Sequence, residues 1–169
     1  MGSEPKVVIA EQISASAFEP FGWLPLADTD PADGSHRLEF AWADPHVNVI
    51  SHSADEVGRK GGALVCDKMF RHQTHTQALL VLDNDSVLAV APAEVDFSRD
   101  EDVAEVRVFR LVSHDSLVLH RGTWHWGPFP LGDDPVHLYN VQGLGYEKDN
   151  ECVDLERFAI LVDGGARDR

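Results

Sequence analysis

Two short runs hold most of the residues whose types and spacing could do chemistry. The first is Arg71-His72-Gln73-Thr74-His75-Thr76-Gln77. The second is His120-Arg121-Gly122-Thr123-Trp124-His125-Trp126. Imidazoles ligate zinc, nickel, copper or iron, and they exchange protons near neutral pH. If Thr76 to Leu82 is a strand, His75 and Gln77 share one face, because strand side chains alternate. His72 lies three residues earlier and needs a turn or bulge to join them. In the second run Gly122 permits a sharp turn, and the flanking His120 and His125 could converge. His125 points opposite to Trp124 and Trp126, whose indoles mark an apolar surrounding on their side. The competing picture is two solvated surface turns, with the tryptophans as plain core.

The elements that must position these residues are short strands. Val7 to Ile9, His46 to His52, Ala63 to Phe70, Thr76 to Leu82, Ser86 to Ala91, Val106 to Val112, Ser116 to His120 and Val136 to Gln142 read as strands, and Trp124 to Trp126 starts another. In His46 to His52, Val47 and Val49 share the face opposite His46, Asn48 and Ile50. Ser14 caps a single helical turn that reaches Phe18 and stops at Pro20. Asp83-Asn84-Asp85 and Gly132-Asp133-Asp134-Pro135 are turns, and Asp96 to Asp102 is a charged loop. Asp154 to Val162 fits a helix or a strand equally well. Many short strands with almost no amphipathic helix predict an all-β sandwich or barrel.

Bulk properties narrow the function. At 169 residues the chain suits one domain, 1–169. The net charge is −15, so the surface repels nucleic acid and anionic lipid, and neither is expected as a partner. The two cysteines, Cys66 and Cys152, have no metal-ligand spacing and read as small hydrophobes in a reducing compartment. The start shows no signal-peptide layout, so a cytoplasmic location is expected. No nucleophile elbow, P-loop or dinucleotide fingerprint occurs.

These residues resemble the cupin superfamily. Phe70, His72, Gln77 and Asn84 occupy the four places of its first motif, and His120, Gly122 and His125 fall on the spacing of its second. His72, Gln77 and His125 match its inward-facing ligand positions, with glutamine in place of glutamate. More closely, the chain resembles the ureidoglycolate lyase family. Arg71-His72, Thr76-Gln77-Ala78, His120-Arg121-Gly122, Trp124-His125 and Phe129 carry that likeness. Phe18, Phe21-Gly22 and the stretch from Asn150 to Cys152-Val153 extend it over most of the chain. Departures from the family pattern fall at Phe70, at Gln73-Thr74-His75, at Trp126 and at Val141-Gln142.

The resemblance implies a cupin-type double-stranded β-helix (jelly-roll) barrel with short flanking helices. It implies cleavage of ureidoglycolate to glyoxylate and urea in allantoin and purine breakdown, by a homodimer, with a divalent metal ion (nickel, zinc, manganese or iron) in some members. On that basis His72, His75, Gln77 and His125 are the candidate metal ligands. His120 is the candidate acid–base residue, with His72 beside it, and Arg71 or Lys68 clamps the substrate carboxylate. Two other functions fit the same residues: a metal-dependent cupin enzyme acting on another small carboxylate, and a non-catalytic cupin that binds a small acid.

Overall fold

A computed structural model describes residues 4–27, 30–42, 44–155 and 159–165. Among the described residues, fifteen strands form three sheets. The first sheet orders β1 (Lys6–Ile9), β15 (Ile160–Asp163), β6 (Ala63–Cys66) and β5 (Arg59–Lys60). The second orders β14 (Asn150–Asp154), β7 (Lys68–His72), β12 (Trp124–Pro130), β9 (Ser86–Ala91), β10 (Arg107–Leu111) and β2 (Glu11–Gln12). The third orders β3 (Gly22–Trp23), β11 (Ser116–Leu119), β8 (Gln77–Val81), β13 (Val136–Gly143) and β4 (Pro45–His52). Neighbours are antiparallel except β1 with β15 and β2 with β10. The expected all-β jelly-roll barrel is the fold observed.

The second and third sheets face each other and enclose the barrel. Leu88, Val90, Phe109 and Leu111 from one pack with Leu79, Val81, Leu117, Leu119, Val136 and Leu138 from the other. Phe18 and Phe21 close one end against Phe109, with ring centroids 5.4 and 6.0 Å away. Phe18 is aimed there by the helical turn Ala15–Phe18, whose N-cap Ser14 hydroxyl accepts from Ala17 N–H at 3.3 Å. The first sheet covers the outer face of the second. Leu64, Cys66, Ile160 and Val162 meet Met69, Val87, Ala89, Ala91, Trp124 and Trp126 there. β9 therefore lies between two apolar layers and is buried along its whole length.

Two expectations need correcting. Ala63 to Phe70 is not one strand: it breaks at Asp67 into β6 and β7, which belong to different sheets. Asp154 to Val162 is not one element: β14 ends at Asp154, β15 begins at Ile160, and 156–158 lie outside the described residues. The chain changes layers at both places, and Leu155 N–H donates to Asp67 C=O at 2.6 Å where the two crossings meet.

Candidate active site

The alternation of β7 sends Lys68, Phe70 and His72 into the barrel and Met69 and Arg71 out of it. The chain then bends at Gln73 and Thr74, and this bend supplies the turn that brings His75 back beside His72. Their ring centroids lie 4.6 Å apart. Segment 39–41 laces the bend in place, with Thr76 N–H donating to Glu39 C=O at 3.0 Å and Ala41 N–H donating to Thr74 C=O at 2.8 Å. On β12, His125 points inward while Trp124 and Trp126 enter the other layer. The His125 ring centroid is 5.2 Å from that of His72.

The buried ring environments set the protonation. Burial, then the neighbouring His125 and His75, pushes His72 down to about 3. Burial likewise pushes His125 down to about 4. His75 is lowered by burial against the opposing pull of Asp149. All three are therefore neutral at ordinary pH. His125 Nδ1 lies 3.2 Å from Thr123 C=O, which can only accept. Nδ1 must then carry the hydrogen, leaving Nε2 with a lone pair.

His75 is arranged the same way by a residue that sequence inspection missed. Asp149 sits in the short 3-10 turn Tyr146–Asp149, and its Oδ2 lies 3.3 Å from His75 Nδ1. Its carboxylate also accepts from Gln73 N–H at 3.1 Å, Thr74 N–H at 2.8 Å and the Thr74 hydroxyl. Burial raises the Asp149 carboxyl, but the Thr74 and Gln73 hydrogen bonds and His75 outweigh it, and the net shift is downward. Nothing in the run Tyr146-Glu147-Lys148-Asp149 separates this acid from surface charge.

Sheet alternation also builds a ladder of amides. Gln77 Nε2 donates to Asn140 Oδ1 at 2.9 Å and to Gln142 Oε1 at 3.2 Å, and Asn140 Nδ2 donates to Asn48 Oδ1 at 2.7 Å. Gln77 Oε1, His72 Nδ1 and His75 Nε2 are buried with no protein partner. Such atoms are costly to leave bare and mark a place for a ligand. His72, His75 and Asp149 each offer a ligand atom, all within 4.8 Å of one another. A narrow gap joins His72, His75, Gln77 and His125. It opens on a cavity of about 310 Å³ lined by Lys68, Phe70, Gln142, Tyr146 and Asn150 among others.

Two expected residues stand elsewhere. Arg71 leaves by the outer face, pairs with Glu151, donates to Ala93 C=O at 3.1 Å and stacks 4.2 Å over Trp124. Strand alternation forbids it the carboxylate role, since its neighbour His72 takes the inward position. His120 is exposed and packs 5.4 Å from Trp23. It borders a separate cavity of about 830 Å³ with His36, Arg37 and Arg121, and reaches the histidine cluster only across the narrow gap. Lys68 does line the 310 Å³ cavity.

A model of ureidoglycolate lyase matches residues 34–161, which include both histidine runs, the amide ladder and Asp149. The chain belongs to the ureidoglycolate lyase family. Membership makes the protein a lyase. No curated protein matches the chain. Among solved structures it is similar to a dTDP sugar isomerase from Desulfovibrio desulfuricans G20, at 13% identity over 81% of this chain and 87% of that one, with a TM-score of 0.45.

Proposed function

We propose that this family member cleaves the C–N bond of ureidoglycolate, releasing glyoxylate and urea, in purine breakdown. The observation that carries this function is the set of neutral, buried imidazoles with free ring nitrogens at the polar end of the cavity. The substrate carries a hydroxyl, a carboxylate and a urea nitrogen on one carbon. Expelling urea requires removing the hydroxyl proton and protonating the departing nitrogen. His125 Nε2 has the free lone pair for the first step and can return the same proton for the second. It takes the acid–base role in place of His120, which stands outside the cavity. Lys68, the one lysine or arginine among the described residues lining this cavity, attracts the carboxylate. The amide ladder offers acceptors and donors for urea.

The donor set fits a divalent ion. His72 Nδ1, His75 Nε2 and Gln77 Oε1, three buried atoms without partners, would hold it. The Asp149 oxygens already accept from Gln73 and Thr74, so that carboxylate serves to orient His75 behind it. When bound, nickel, zinc, manganese or iron supplies Lewis-acid polarisation of the substrate oxygens.

The outer face of the third sheet supports a homodimer. Val47, Val49 and Tyr139 are 53%, 57% and 44% exposed on adjacent strands, side by side. A cytoplasmic location accords with the free thiols of Cys66 and Cys152. No described helix is long and apolar enough to cross a membrane.

Purified protein should release glyoxylate and urea in equal amounts from ureidoglycolate, and His125→Ala should abolish the release. Absence of release from metal-loaded protein would remove ureidoglycolate as the substrate. Ureidoglycolate binding without turnover would instead support the small-acid-binding alternative. Loss of release on chelation, restored by one added metal, would assign the ion.

A further inference from the structure

One turn reaches the histidine cluster at two places. β13 ends at Gly143, and Gly145, with φ at +77°, leads the chain into the 3-10 turn Tyr146–Asp149. Lys148 N–H closes this turn on Gly145 C=O at 3.0 Å. Side chains three residues apart eclipse one another in a 3-10 helix. Tyr146 and Asp149 therefore project from the same side. Asp149 is tied to Gln73 N–H, Thr74 N–H and His75 Nδ1. That anchor aims Tyr146 at the neighbouring imidazole. The phenol and the His72 ring meet at 86°, with centroids 6.1 Å apart.

The phenol is half-buried and lines the 310 Å³ cavity. Among the described residues its hydroxyl has no hydrogen-bond partner. The strand order β14-β7-β12 fixes the side from which it enters. His72 stands on the middle strand, and His125 faces it from β12. Tyr146 comes from the other side, just ahead of β14, whose Asn150 is the register partner of His72. It also follows β13, the strand that carries Asn140 and Gln142 of the amide ladder. The hydroxyl therefore belongs to the urea end of the site. The ladder leaves work for a donor there. Gln77 Nε2 donates to both Asn140 Oδ1 and Gln142 Oε1, which engages both of its hydrogens.

We propose that Tyr146 is a further catalytic residue, whose hydroxyl donates a hydrogen bond to the departing urea. This inference rests on the C–N cleavage proposed above. As the bond breaks, its electron pair goes to nitrogen, and the negative charge spreads onto the urea carbonyl oxygen. His125 takes the substrate hydroxyl proton and returns it to that nitrogen, so the step needs no co-reactant. The phenol keeps its own proton throughout. A fixed, neutral donor meets little charge in the bound substrate and far more in the transition state. It therefore raises kcat without tightening substrate binding.

Tyr146→Phe removes the hydroxyl and keeps the ring against His72. With metal-loaded protein and ureidoglycolate, its kcat should fall by roughly 100- to 1,000-fold. Its KM should stay within about threefold of the parent value. Its metal affinity, measured by titration, should equal that of the parent. A parental kcat in Tyr146→Phe would overturn the inference and leave the proposed function standing. A raised KM with unchanged kcat would overturn it as well, because the hydroxyl would then bind substrate and transition state alike. A fall in kcat matched by weaker metal binding would also overturn it and make Tyr146 a positioning residue for His72. No release by the parent protein would remove the proposed function and this role with it.

Discussion

Asp149 Oδ2 lies 3.3 Å from His75 Nδ1, and both side chains are almost fully buried. The two residues come from different ends of the site, a bend after β7 and a turn before β14. A carboxylate in this position fixes both the tautomer and the orientation of an imidazole. Asp149→Asn should therefore cost roughly 10–100-fold in metal affinity or activity. Metal titration and kcat/KM on the folded variant measure it. An unchanged affinity and rate would show that the Gln73–Thr74 backbone alone holds His75.

Gly143 faces the same ring from β13. A Cβ added there would approach His75 Nδ1 at 3.1 Å and Cγ at 3.3 Å. The His75 ring, already pinned by Asp149, has little room to yield. Gly143→Ala should lower activity while circular dichroism stays that of the parent. Retained activity would mean that the ring shifts freely and that its position is not critical.

His125 and His72 also make stability depend on pH. Unfolded histidine titrates near 6.5, whereas the folded protein holds these two to about 4 and about 3. Below 6.5 the unfolded chain binds protons that the folded chain refuses. The stability contributed by the two neutral rings is thus complete above 6.5 and is lost as pH falls toward 4 and then 3. Urea midpoints of metal-free protein should drop between pH about 7 and about 5, and His125→Gln should flatten that drop. A pH-independent midpoint would contradict the burial of neutral rings.

The closed end of the barrel should carry stability without chemistry. Phe18 is fully buried against Phe21 and Phe109. Phe18→Ala should destabilise by about 3–5 kcal/mol. Denaturant unfolding measures this, while kcat at low temperature stays near the parent value. A matching collapse of kcat in the folded variant would tie the plug to the site.

His120 and His125 separate on activity if the cavity assignments hold. His125→Ala should abolish turnover, whereas His120→Ala should leave it within about tenfold of the parent. Steady-state rates on the two purified variants decide this. The opposite ranking would return the acid–base role to His120.

The sequence by itself determined the strands, because alternation and turn residues are local signals. It placed β8, β9, β10, β11 and β13 within a residue or so of their bounds and capped the turn at Ser14. The same alternation set His125 opposite its two tryptophans, and the family pattern singled out both histidine runs. The tertiary structure alone decided which of these residues meet. Arg71 was lost to the site because the bend came after His72 rather than before it, so the arginine kept the outward position. The break at Asp67 was hidden because Ala63 to Phe70 is apolar enough for one strand, and only the covering sheet requires the chain to change layers. Asp149 was illegible for a different reason. Its partners Gln73, Thr74 and His75 lie far away in sequence, and a carboxylate in a chain this acidic becomes distinctive only when the fold buries it against an imidazole.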